Sequence, residues 1–149
     1  MAAHLAVGAG QGAEACDETQ LRFLYEPGLQ ALPTLCAVLG DPGFWMREPD
    51  STLDWRRLVH GEESVTWYQA LPAQGTVVAH HRVCRVEDRG AERGASFVVE
   101  RLLVDAASSQ PLVRALSTVV ARGDGGFSPP GAPLMQLGEP AEAALPPLP

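Results

Sequence analysis

Among the side chains able to move a proton or hold an oxygen, those of three short stretches stand out by type and spacing. His60-Gly61-Glu62 sets an imidazole and a carboxylate two residues apart, with a glycine that permits a bend between them. It is a candidate binding site where the chain enters a strand region; alternatively, His60 simply caps the turn before it. Asp41 follows a short apolar segment and precedes Pro42-Gly43. A carboxylate at the C-terminal end of a helix is unfavourable for the helix dipole, so Asp41 is either a functional acid or a turn residue in Asp-Pro-Gly. Phe44, Trp45 and Met46 come next, as the wall of an apolar pocket or as a seal over the core. His80, His81 and Cys84 are metal-ligand types, but strand alternation sends His81 to the face opposite His80 and Cys84, so no metal site is expected. Gly8-Ala9-Gly10-Gln11-Gly12 follows no strand and opens no helix, so it is not a dinucleotide fingerprint. No cofactor is expected.

The elements that must position these residues are short. Asp17-Glu18-Thr19-Gln20 has the form of a capping box, and Leu21, Leu24 and Tyr25 follow at helical spacing up to Pro27-Gly28. Pro33 suits the first turn of a second helix, whose apolar stripe is Leu35, Val38 and Leu39 and whose end is Gly40-Asp41-Pro42-Gly43. Barely two turns long, that helix depends on whatever packs around it. A further helical turn spans 51–59. Alternation then predicts four strands. The first carries Val65, Trp67 and Leu71, the second is 75–87, the third 96–105 and the fourth 112–122. Val77, Ala79, His81 and Val83 share one face of the second. Val113, Ala115, Ser117, Val119 and Ala121 share a face of the fourth that is small enough for a helix to lie on. A short helix followed by a four-stranded antiparallel meander wrapped around it is an α+β domain.

Composition narrows the function. The chain has 149 residues and a net charge of −7, which argues against nucleic acid or an anionic membrane surface as partner. Residues 1–12 read as a loose N-terminus without the basic start of a secretory signal, 13–127 as the folded domain, and 128–149 as a linker holding seven of the thirteen prolines. No stretch is long and apolar enough to span a bilayer. Cys16, Cys36 and Cys84 are odd in number and form no CxxC pair, as expected of reduced thiols in a cytoplasm. Arg82, Arg85, Arg89, Arg93 and Arg101 border the long hairpin; arginine suits phosphates, but for any single one a solvated sheet edge is the preferred reading. All eleven basic residues are arginine, and lysine, asparagine and isoleucine are absent, the signature of a GC-rich, bacterial coding sequence.

Four segments carry a specific resemblance: Leu32-Pro33-Thr34, Leu39-Gly40-Asp41-Pro42-Gly43-Phe44-Trp45-Met46, Leu58-Val59-His60-Gly61-Glu62 and Arg122-Gly123-Asp124-Gly125-Gly126-Phe127. From about Leu5 to Phe127 the chain resembles the N-terminal half of two-domain MaoC-like (R)-specific enoyl-CoA hydratases, most closely the actinobacterial acyl-CoA or steroid side-chain group. The resemblance implies a hot-dog fold, a sheet curled around a central helix, here 33–40. It implies a partnership between two hot-dog domains, in which the second carries the catalytic loop and the first forms part of the acyl pocket. The catalytic signature resembles Gly-Asp-x-Asn-Pro-x-His. A chain without asparagine cannot contain it, and no aspartate here has a histidine five residues on; Asp54 and His60 are six apart.

The reading is therefore the pocket half of an enoyl-CoA hydratase/3-hydroxyacyl-CoA dehydratase acting on an acyl-CoA or acyl-carrier-protein thioester. Its own residues are not catalytic, and Asp41, Phe44, Trp45, His60 and Gly61 are expected at the substrate. The partner is a second hot-dog domain or subunit, or a second copy in a homodimer. Two rivals remain: a stand-alone hot-dog thioesterase using Asp41, and an acyl-CoA-binding protein without turnover.

Overall fold

The computed structural model of the chain describes Gly8, residues 21–24, residues 28–129 and Gly131. The capping box, Tyr25, Cys16, four of the five residues from Gly8 to Gly12 and nearly all of the proline-rich tail lie outside the described residues. Leu21 to Leu24 form a turn in which the Leu24 N–H donates to the Leu21 carbonyl (2.9 Å).

Four strands form one antiparallel sheet: β1 Leu58–Trp67, β2 Val77–Asp88, β3 Ala95–Asp105 and β4 Pro111–Ala121, in the spatial order β1-β4-β3-β2. The expected meander is therefore corrected. β2, β3 and β4 are joined by successive hairpins, but β1 pairs with β4, from Leu58 against Ala121 to Trp67 against Val113. The β1–β2 connection crosses the end of the sheet to the opposite edge. The Tyr68 and Gln69 amides donate to the Leu112 carbonyl, and beyond them Leu71 is buried (8% exposed). Leu71 is thus a core residue of the crossover and not the end of a strand.

β1 also begins earlier than alternation predicts. Two 3-10 helices, Pro49–Ser51 and Trp55–Arg57, replace the single helical turn, and the strand starts at Leu58. His60, Gly61 and Glu62 consequently lie within β1. The pairing shifts register between His60 and Glu62, a β-bulge with Gly61 as the extra residue. A Cβ on Gly61 would meet the Thr118 carbonyl at 3.4 Å, an ordinary contact. The bend comes from the additional residue more than from the freedom of glycine.

The helix under the sheet is a 3-10 helix, Pro33–Ala37, continued as a turn to Gly40, in place of the expected α-helix. So short a segment cannot sustain α-helical propagation. In a three-residue period Cys36 and Leu39 share a face. Cys36 is buried (2%), whereas Val38, expected in the apolar stripe, is 60% exposed. Gly40 ends the segment with φ +63°, and a Cβ there would collide with Ala79, so the chain lies directly on β2.

Between register shifts in β1, β2 and β4, pairing places alternate residues of the strands on the face toward this helix. Two apolar clusters form there. One joins Cys36, Leu71, Leu103, Leu112 and Val113, with Leu35, Leu39, Val65 and Ala79 against it. The other joins Phe97, Val119 and Ala121, with Trp45, Met46, Leu53 and Leu58. Along β3, Val99 and Arg101 fall between Phe97 of one cluster and Leu103 of the other.

Candidate functional site

A groove of about 340 Å³ opens between these clusters, under the turn that follows the 3-10 helix. That size is within the range of small-molecule sites. Trp45, Met46, Val99 and Val119 supply its apolar wall, and His60, Glu63, His81, Arg101 and Ser117 its polar part.

The bulge in β1 creates the central polar cluster. His60 pairs with Val119, and Glu63, three residues on, pairs with Ser117. Strict alternation would send His60 and Glu63 to opposite faces; the extra residue brings both to the same one. His60 Nε2 donates to Glu63 Oε2 (3.2 Å), and the Ser117 hydroxyl donates to the same oxygen. A serine bound directly to a carboxylate, with no imidazole between them, is not an activated nucleophile. This cluster holds and orients.

Two further side chains fix the roof. His81 Nε2 donates to the Gly40 carbonyl (2.8 Å), and an Arg101 Nη donates to the Ala37 carbonyl (3.1 Å). Carbonyls at a helix end have no partner within the helix, and cationic or N–H-bearing side chains satisfy them. Arg101 therefore faces the groove, correcting its placement at a solvated edge. Burial pushes the Cys36 thiol pKa up, which keeps it a protonated packing group and not a nucleophile.

The structure brings together three of the five residues singled out from the sequence. Asp41, Trp45 and His60 line the groove. Asp41 Oδ1 accepts the Gly43 N–H (2.9 Å), the turn geometry expected of Asp-Pro-Gly. Trp45 packs on Phe97 with ring centroids 6.3 Å apart. Phe44 points elsewhere: it is half exposed and meets Trp55 edge-on at 6.4 Å. Gly61 contributes the bulge and no wall. His60 does not cap the preceding turn, since its ring bonds forward to Glu63. Sequence reasoning does not single out Glu63, His81, Arg101 and Ser117 as groove residues. His81 and Ser117 stand on faces that alternation identifies; Glu63 is hidden by the bulge.

Comparison with known proteins gives the same architecture. Residues 3–123 match the family model of the MFE-2 hydratase 2 N-terminal domain. The chain is 27% identical over 147 residues to the peroxisomal enoyl-CoA hydratase 2 of Arabidopsis thaliana, covering 94% of this chain and 47% of the relative. It is 32% identical over 98 residues to 3-hydroxyacyl-thioester dehydratase Y of Mycobacterium tuberculosis, covering 66% and 33%. A solved MaoC-like dehydratase from Phytophthora capsici superposes with a TM-score of 0.60 at 21% identity, over 95% of this chain and 47% of that one. The chain spans about half the length, or less, of the curated relatives it matches.

A four-stranded antiparallel sheet over a short helix, matched by the MaoC-like structure, is a hot-dog domain of the hydratase and dehydratase class. More narrowly, the chain belongs to the family of MFE-2 hydratase 2 N-terminal domains.

Proposed function

We propose that this chain is the pocket-forming half of an enoyl-CoA hydratase/3-hydroxyacyl-CoA dehydratase, with its groove receiving the acyl part of a CoA or acyl-carrier-protein thioester. The observation that carries this reading is the groove itself. A 3-10 helix only five residues long, Pro33–Ala37, leaves space between helix and sheet, and apolar walls suit a hydrocarbon chain. Adding water across a 2-enoyl thioester requires a base to activate water for C3, an acid to protonate C2 and amide donors for the enolate oxygen. Asp41 accepts the Gly43 amide of its own turn and Glu63 accepts from His60 and Ser117, and no aspartate of the chain stands five residues before a histidine as in the hydratase signature. The Asp and His of the reaction then come from a second hot-dog domain, either a further segment or another chain. Among the described residues the two thiols, Cys36 and Cys84, are buried and form no disulfide, which fits a reducing compartment such as the cytoplasm. Among the described residues no helix is long and apolar enough to cross a membrane.

The test is reconstitution. The chain is mixed with a hot-dog protein carrying Gly-Asp-x-Asn-Pro-x-His, and the loss of enoyl-thioester absorbance is followed. Activity that requires both proteins supports the proposal. A partner that is fully active alone and does not bind this chain refutes it, as does hydration by this chain in isolation. Thioester hydrolysis abolished by Asp41→Asn would instead establish the thioesterase.

A further inference from the structure

We infer that the groove selects an acyl chain bearing a hydroxyl group along its length, and not a plain hydrocarbon. The inference rests on the groove being the acyl site. A pocket for simple fatty chains gains nothing from an ionisable cluster in its wall, because covering polar groups with hydrocarbon strips their water without replacing the lost hydrogen bonds. Here the wall between the two apolar clusters contains Glu63, His60 and Ser117 in one connected set. The Glu63 side chain is 32% exposed and that of His60 61% exposed, so both still hold water that an occupant would displace.

The cluster is also incomplete in a useful way. A carboxylate offers about four acceptor positions on its two oxygens. The bonds from His60 and Ser117 both fall on Glu63 Oε2, which leaves Oε1 for a ligand hydroxyl. Ser117 adds an acceptor oxygen on β4, and since its own O–H and the His60 Nε2–H are already given to Glu63, the cluster meets a ligand as a hydrogen-bond acceptor and suits a hydroxyl donor. His81 and Arg101 differ in kind, since they donate to the Gly40 and Ala37 carbonyls and hold the roof in place. Flanking Trp45, Met46, Val99 and Val119 would take up methylene groups. The pattern is thus hydrocarbon contact interrupted by one polar station, complementary to a hydroxylated chain.

The probes are decanoyl-CoA and its 6-, 8- and 10-hydroxy derivatives, titrated calorimetrically into the full chain. One hydroxylated isomer is expected to bind at least about fivefold more tightly than decanoyl-CoA, the worth of one net hydrogen bond of about 1 kcal/mol. Glu63→Gln or Ser117→Ala should reduce that preference, while Phe44→Ala, outside the groove, should preserve it. If decanoyl-CoA binds as tightly as every hydroxylated isomer, the selectivity is refuted while the acyl site stands. A preference untouched by both Glu63→Gln and Ser117→Ala also refutes it. If none of the four thioesters binds, the acyl-site reading itself falls, and the inference with it.

Discussion

Two carboxylates on the same sheet, Asp88 and Glu63, show opposite ways of using a charge. Asp88 ends β2 and is 1% exposed. Its Oδ1 accepts the amides of Gly90 (2.8 Å) and Gly126 (2.7 Å), and its Oδ2 accepts that of Ser128 (2.6 Å). It clips the β2–β3 loop to the segment after β4. Glycines allow the close packing: a Cβ on Gly94, whose φ is +76°, would strike the Ala121 carbonyl. Glu63 lies in the edge strand, partly solvated, with a single oxygen accepting from both His60 and Ser117. A carboxylate enclosed by backbone amides at fixed distances serves the fold. One that keeps water and spare acceptor capacity is available to a ligand.

Breaking the clip should have the largest effect. The backbone N–H groups of Gly126 and Ser128, with that of Gly90, hold the Asp88 pKa far below the ordinary carboxylate range, outweighing the effect of burial. Asp88→Asn removes the charge and turns an amide NH2 toward amide donors. It is expected to lower the thermal midpoint more than Gly40→Ala or Glu63→Gln. The folded state depresses this pKa, so the contribution is fully present above the unfolded-state value of about 4 and is lost as pH falls from there toward the folded value. Between neutral pH and about pH 2, acidification should therefore destabilise the parent chain more steeply than Asp88→Asn. Glu100 contributes in the same sense: burial alone would raise its pKa, but the hydrogen bonds from Arg82 and Arg114 lower it overall, so some acid sensitivity will persist in the variant. Equal slopes in denaturant melts across that range would show that Asp88 is not the clip.

Gly40→Ala addresses the boundary between the two regions and ranks second. The substitution places a Cβ at φ +63° and against Ala79 and Leu103, at a cost of about 2 kcal/mol. Because the Gly40 carbonyl is the partner of His81, the shift should open the groove roof as well as weaken the core. A denaturation midpoint unchanged within error would mean that the chain does not lie on β2 as described.

The same contrast explains how much is legible in the sequence. Alternation predicts the bounds of β2, β3 and β4 to within two residues at each end, because their hairpin loops are polar and apolar residues fill each strand, even though the pairing shifts register at Cys84 in β2 and at Leu112 in β4. It fails for β1, since Gly61 disrupts the period and the edge position leaves both faces largely exposed. Nor can local pattern reveal that β1 crosses to pair with β4, because strand order depends on a connection that alternation does not encode. In the groove, Asp41, Trp45 and His60 stand within recognisable sequence motifs. Glu63 needs the bulge to be known first, and Arg101 resembles an edge residue until the Ala37 carbonyl supplies its partner. From sequence Asp88 is only the start of a polar loop, since its partners Gly126 and Ser128 are 38 and 40 residues away.

The smallest expected change in stability is the sharpest test of the contrast. Glu63→Gln keeps the shape of the side chain and one oxygen to accept from His60 and Ser117, but removes the charge and turns the spare acceptor Oε1 into an NH2 donor. The partner imidazole is 61% exposed, and partly solvated pairs of this kind contribute little. The folded state should therefore shift by no more than about 0.5 kcal/mol, measured as a urea midpoint with unchanged slope. A loss several times larger would place Glu63 with Asp88 as a residue that holds the fold, and the groove would lose its claim to a polar station kept for a ligand. A near-neutral change in folding combined with an altered preference among hydroxylated thioesters would separate the two carboxylates by what they do. Asp88 would then be needed to close the domain, and Glu63 to recognise what enters it.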